Sequence, residues 1–178
     1  MPADFKKLLS ARFLFTFAVQ MQAVILGWRI YQLLKDPLSL GFIGLAEAVP
    51  AIGLALYAGY VVDKSRPLLV YRRVMYISLI SGFLVLAEHL LDSQLTLSLQ
   101  VAMLYCAAAL TGTARAFSQP AIFSSVPRIV SREQLMKAVA TMSSAMQVAR
   151  IAGPAVGGLI FGFVGAVAAS SVVCVSLI

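Results

Sequence analysis

GFIGLAEAVPAIGLALYAGYVV, residues 41–62, followed at once by DKSRP, residues 63–67, decides the class of this fold. The run carries one ionisable side chain, Glu47. Its length suffices to cross a hydrocarbon core of about 30 Å, which takes about 20 helical residues. A helix satisfies its own backbone polar groups, as lipid demands, so such a run reads as a transmembrane helix. Asp63, Lys64 and Arg66 then mark its polar end, and Pro67 closes the turn.

Windows of the same size on either side predict further spans over residues 12–34, 74–91, 97–117 and 138–163, with a sixth over 166–178. Asp36-Pro37 and Asp92-Ser93-Gln94 punctuate two of the turns, and Ser131 with Gln134 three residues on predicts a capping box at the start of the fifth helix. Composition points the same way. Of 178 residues, 61% are hydrophobic and 12% charged, against about 45–50% and 25% in soluble domains. So short a chain cannot hide that much apolar surface from water. A soluble domain, a disordered chain, a disulfide scaffold and a nucleic-acid binder are all excluded. The expected fold is all-α and polytopic, one bundle with lipid as its solvent. Residues 166–178 are too short for a full span, which predicts a sixth helix cut short.

The net charge of +7 follows from position. With a cytoplasmic N-terminus, Lys6, Lys7, Arg12, Lys64, Arg66, Arg72, Arg73, Arg128, Arg132 and Lys137 all fall inside, and Lys35 falls outside. That asymmetry is the positive-inside pattern, so the basic surplus sets topology and implies no nucleic-acid partner. Lys6 and Lys7 before an apolar run resemble the start of a signal peptide, but the run is too long and lacks a small-x-small cleavage site. A retained first helix is expected, in a bacterial cytoplasmic membrane. Cys106 and Cys174 lie in apolar spans and read as packing residues. His89, the one histidine, stands beside Glu88 at an outer helix end, where a solvated interfacial role is expected. No metal site and no cofactor are predicted.

Arg29, Glu47 and Arg150 lie within spans, where an ionisable group needs a partner or a water-filled cavity. Arg29 and Glu47 are both about 8–9 Å below the outer boundary at 1.5 Å per residue, which predicts an ion pair between them. Arg150, near the middle of the fifth span, is expected either to line a cavity and meet substrate or Glu47, or to pair structurally within the bundle. Gln20, Gln22 and Gln147 are polar groups at depth that can bond a ligand or neighbouring helices, and Gln22 shares a helical face with Arg29. Ala145, Ala149, Gly153 and Gly157 form a smooth strip for close helix approach, with a bend expected at Pro154. Ala51, Ala55 and Gly59 repeat the pattern in the second span.

Three motifs carry a family resemblance. GYVVDKSR, residues 59–66, resembles the cytoplasmic loop signature Gly-x-x-x-Asp-(Arg/Lys)-x-Gly-(Arg/Lys) of the major facilitator superfamily, with Gly59, Asp63 and Lys64 matching and Arg66 in place of the second glycine. ARIAGPAVGG, residues 149–158, resembles the antiporter-type helix 5 signature, with Ala149 for its first glycine and Gly153, Pro154, Gly157 and Gly158 matching. GTARAFSQPAIFSSVPRIV, residues 112–130, is similar to the helix 4 end and loop of the branch holding the enterobactin exporter and macrolide-efflux-like proteins. The resemblance implies the six-helix N-terminal bundle of a major facilitator fold, with the C-terminal half absent. It implies alternating access and secondary active export of a small amphipathic metabolite, siderophore or drug, coupled to protons. Asp63, Lys64 and Arg66 would belong to a gating loop. Arg115 would serve proton coupling or snorkel to the interface, and Glu47 would carry the proton. The partners implied are the bilayer, a small-molecule substrate, protons, and either a missing C-terminal half or a second copy. Uptake transport or lipid flipping on the same scaffold, and a nontransporting interaction module, are the alternatives. No nucleophile-base set or phosphate cradle suggests an enzyme.

Overall fold

A computed structural model describes residues 2–178, and the regular elements among them are all helical. They are α1 (Ala3–Leu34), α2 (Pro37–Gly53), α3 (Ala55–Lys64), α4 (Pro67–Leu90), α5 (Leu97–Ile129), α6 (Arg132–Phe163) and α7 (Ala166–Leu177), with a single 3-10 turn at Asp92–Gln94. Helices α1, α4, α5 and α6 are each long and apolar enough to cross a membrane. Helices α2 and α3 together make a fifth such segment, bent by 45°, and α7 is a shorter apolar helix. The protein is an integral membrane protein of the all-helical, polytopic class.

Local chemistry explains most ends. Lys35 terminates α1 in the left-handed region, φ 52°, with its N–H donating to Tyr31 O at 2.8 Å. The Asp36 carboxylate then accepts from Leu38 N at 3.1 Å, and Pro37 opens α2 where a missing N–H costs nothing. Pro67 does the same for α4. The chain pivots at Leu54, between α2 and α3, just past Pro50. That proline lacks the N–H its helical turn needs.

Several boundaries differ from the sequence expectation. Helix α1 starts at Ala3 rather than residue 12, because hydropathy marks the lipid-crossing part of a helix and not its end. Helix α5 runs through Pro120 and Pro127 to Ile129, well past residue 117. Tertiary packing outweighs the two lost backbone bonds there: Ala121, Ile122 and Val126 join a core with Phe5, Leu8, Met142 and Met146. Ser131 does stand at the N-cap of α6, but its hydroxyl makes no capping bond. Gln134 N–H donates to the Ser131 carbonyl at 3.0 Å instead.

Helix α5 lies at the centre, packed on α4 along one side and on α2 along another, while α1 packs along α6 and α7 wedges against α1 and α4. Helices α5 and α6 touch only sparingly, which leaves a cleft between them. Close crossings depend on glycine. A Cβ on Gly112 of α5 would overlap the Glu47 carbonyl of α2. One on Gly153 would stand 2.8 Å from Phe17 O, and one on Gly157 2.7 Å from Met21 Cγ. The Ala149, Gly153, Gly157 strip therefore seats α1. In the second span the break at Leu54 divides the strip: Ala55 is exposed and nothing lies within 4 Å of a Cβ on Gly59. Gly158 is equally open. Both cysteines are free thiols. Cys174 is buried against Gly82, and Cys106 is exposed.

Candidate functional site

Charged side chains at depth form two groups. The outer group joins α1 to α4. Arg29 donates from Nε and Nη2 to Glu88 Oε1 at 2.9 and 2.8 Å, and from Nη2 to Asp92. Glu88 is 0% exposed. Beside it, His89 Nδ1 donates to Val85 O at 2.8 Å, with the Ser170 hydroxyl of α7 3.2 Å away. Two expectations are corrected here. Arg29 does not pair with Glu47, because equal depth on neighbouring helices fixes height but not direction, and Arg29 faces α4. His89 is buried rather than solvated, since α7 covers it, and Phe161 sits edge-on with ring centroids 6.3 Å apart. Glu88 is also more deeply enclosed than Glu47, whose side chain is 16% exposed.

The central group gathers on α1, α2, α5 and α6. Glu47 pairs with Arg115, whose position in α5, one turn beyond Gly112, places its guanidinium over the α2–α5 crossing. The side chains of Arg115 and Glu47 are 48% and 16% exposed. Arg12 of α1 is 5% exposed. It donates from Nη1 to Ser118 Oγ at 2.9 Å and lies over the Phe15 ring at 5.6 Å. Among the described residues no carboxylate forms an ion pair with Arg12. Arg150 of α6 reaches only Gln147 Oε1, at 3.4 Å. It does not meet Glu47.

These residues surround two neighbouring spaces that share part of their lining. The larger, about 380 Å³, lies between α5 and α6 and is lined by Arg12, Gln119, Gln147 and Arg150 at its polar end and by Ile122, Phe123, Val126, Met142 and Met146 along its length. The smaller, about 60 Å³, is lined by Arg12, Gln20, Arg115, Ser118, Gln119 and Arg150. Arg12, Gln119 and Arg150 border both. Three cations face one carboxylate here. In a medium with little water that imbalance is costly unless solvent or a ligand offsets it. A cavity with an apolar body and a few convergent polar groups is the usual form of a small-molecule site.

Of the residues singled out from sequence, Gln20, Arg115, Arg150 and Gln147 border the cavities, with Glu47 attached through Arg115. Gln22 does not. It is 2% exposed and donates to Ser81 Oγ at 2.7 Å and Thr111 Oγ1 at 3.3 Å, tying α1 to α4 and α5. Arg29 also lies apart, in the outer group. Asp63 and Arg66 are exposed and form no ion pair among the described residues, while the Lys64 ammonium stands 4.6 Å from the Tyr60 ring centroid. Sequence reasoning missed Arg12, Ser118, Gln119 and Glu88. Arg12 was counted among the loop charges, yet Leu8, Arg12, Phe15, Val19 and Gln22 repeat at alternating intervals of four and three. That is the stripe of a helix face turned inward.

A family model described as transmembrane secretion effector matches residues 3–178. No curated protein and no solved structure matches the chain.

Proposed function

Because the chain belongs to the transmembrane secretion effector family, of the major facilitator type, we propose that it works in proton-coupled export of a small amphipathic molecule across a bacterial cytoplasmic membrane, with its N-terminus in the cytoplasm. One observation supports this reading above the others: a cavity of about 380 Å³, mostly apolar but ending in arginine and glutamine side chains of α1, α5 and α6. In alternating access, cargo and proton each shift the balance of inward- and outward-open states by binding them unequally. Glu47 is the acid placed to carry the proton. Ionised, it holds Arg115; neutral, it releases that guanidinium toward the smaller cavity. Asp63, Lys64 and Arg66, turned outward at one end of the bundle, are placed to hold a closed gate against a C-terminal half or a second copy. The exposed side of α6, including Gly158, suits the same partner. The enterobactin and macrolide-efflux-like branch is the relationship we favour within the family.

Membrane vesicles carrying the chain test the proposal. Export predicts proton-gradient-dependent accumulation of a labelled macrolide, catecholate or arylsulfonate in everted vesicles. Accumulation confined to right-side-out vesicles assigns uptake instead, and none in either orientation removes the transport reading. Glu47→Gln is expected to abolish the dependence on the proton gradient. If that variant stays coupled, Glu47 is not the proton carrier.

A further inference from the structure

We propose that the cavity between α5 and α6 binds a soluble amphipathic organic anion, a carboxylate, sulfonate or phosphate on an apolar body, with Arg12 and Arg150 holding the charged end. The argument starts at Arg12. A guanidinium carries five N–H donors and stays charged. This one is 5% exposed, donates to the neutral Ser118 hydroxyl and lies beside the buried Tyr71 hydroxyl, and neither neighbour is a carboxylate. Arg29 at comparable burial depth has two carboxylates. Among the described residues, the buried side-chain polar atoms enclosed without a partner are Tyr71 Oη, Ser78 Oγ and His89 Nε2. The unbonded N–H groups of Arg12 are absent from that set, so they open onto the cavities they border rather than being sealed in protein. Arg150 borders the same spaces, engaged only by a long contact to Gln147. Arg115 is already committed to Glu47.

Two free guanidinium groups at one end of the cavity select against a cation and leave a neutral ligand without compensation for their desolvation. An oxyanion offsets both charges and accepts their free N–H groups, in the geometry at which arginine excels. Ile122, Val126 and Met142 along the cavity then call for an apolar body, and about 380 Å³ lies at the small end of the range for drug-sized ligands. The proposal deepens the export reading by naming its cargo class. It does not depend on proton exchange, since a negative-inside potential itself drives an anion outward.

Equilibrium binding to the full chain in phosphatidylcholine nanodiscs separates this from the transport reading. Three probes of similar shape are compared: 1-naphthalenesulfonate, 1-naphthalenemethanol and 1-naphthylmethylammonium. The sulfonate is expected to bind roughly tenfold more tightly than the other two. Arg150→Gln is expected to lower its affinity by a similar factor, Arg150→Lys to keep part of the anion preference, and Lys137→Gln to change nothing. Because Arg150 is exposed, the fold of its variants does not confound the result, as it would for Arg12. Equal binding of the three probes, or sulfonate affinity unchanged in Arg150→Gln, overturns the proposal. So does loss of sulfonate binding when phosphatidylglycerol is added to the nanodiscs, which would assign the site to lipid headgroups. Sulfonate binding without vesicle transport would leave the anion site standing and remove the export reading alone.

Discussion

The outer and central arginines solve the problem of a cation at membrane depth in opposite ways. Arg29 is neutralised in place: Glu88 and Asp92 accept its hydrogen bonds, and α7 closes over the neighbouring His89. Among the described residues Arg12 and Arg150 have no carboxylate partner, and both border a cavity. A fully paired buried charge is a fixed part of the architecture, whereas an unpaired one beside a cavity is chemistry held in reserve. The contrast teaches where to look for function in this bundle. It is not where the ionisable residues are most densely bonded.

The largest effect is expected from breaking the closed group. Glu88→Ala leaves Arg29 short of its main partner and is expected to cost about 3–5 kcal/mol of stability, read from unfolding in detergent micelles. Replacing both partners with apolar residues, Arg29→Met with Glu88→Leu, is expected to recover most of the loss. If Glu88→Ala melted like the parent, the two groups would not differ in kind. Next comes Gly112→Ala, whose methyl collides with the Glu47 carbonyl and is expected to cost about 1–3 kcal/mol. Gly158→Ala, with open space around its Cβ, is expected to be neutral or to gain up to about 1 kcal/mol from helix propensity. In the central group Ser118→Ala removes the hydrogen bond that Arg12 donates to α5, at about 1–3 kcal/mol. The smallest change sharpens the comparison most. Arg150→Gln is expected to leave stability within about 0.5 kcal/mol while lowering anion affinity and transport.

Much of the fold was legible because lipid imposes a simple rule on composition and length. The apolar run at 41–62 announced a span, and the charges around Asp63 announced its end. Less legible was where helices stop, since α1 and α5 continue into polar sequence that hydropathy assigns to loops. The break at Leu54 was hidden for a related reason: apolar content is the same in a straight and a bent segment. Of the site, Gln20, Arg115, Arg150 and Gln147 could be picked out as polar residues at depth. Their partners could not. Depth along a helix follows from counting residues, but direction around it depends on how neighbours pack, and that is why Arg29 was matched to Glu47 instead of Glu88. Arg12 was lost to bookkeeping, its charge absorbed into a topological signal that needed no further cation.

Gly112 has a consequence for how a proton at Glu47 is felt. With the carbonyl of Glu47 seated against α5 where a side chain would otherwise stand, α2 and α5 share one contact of bare backbone, and Arg115 follows a single turn later on the same helix. The spacing of acid and guanidinium is thereby set by main chain, like marks on one ruler. On the export reading proposed above, a proton on Glu47 would then change the charge at a position that this backbone contact holds, on the same helix that ends at the bend at Leu54.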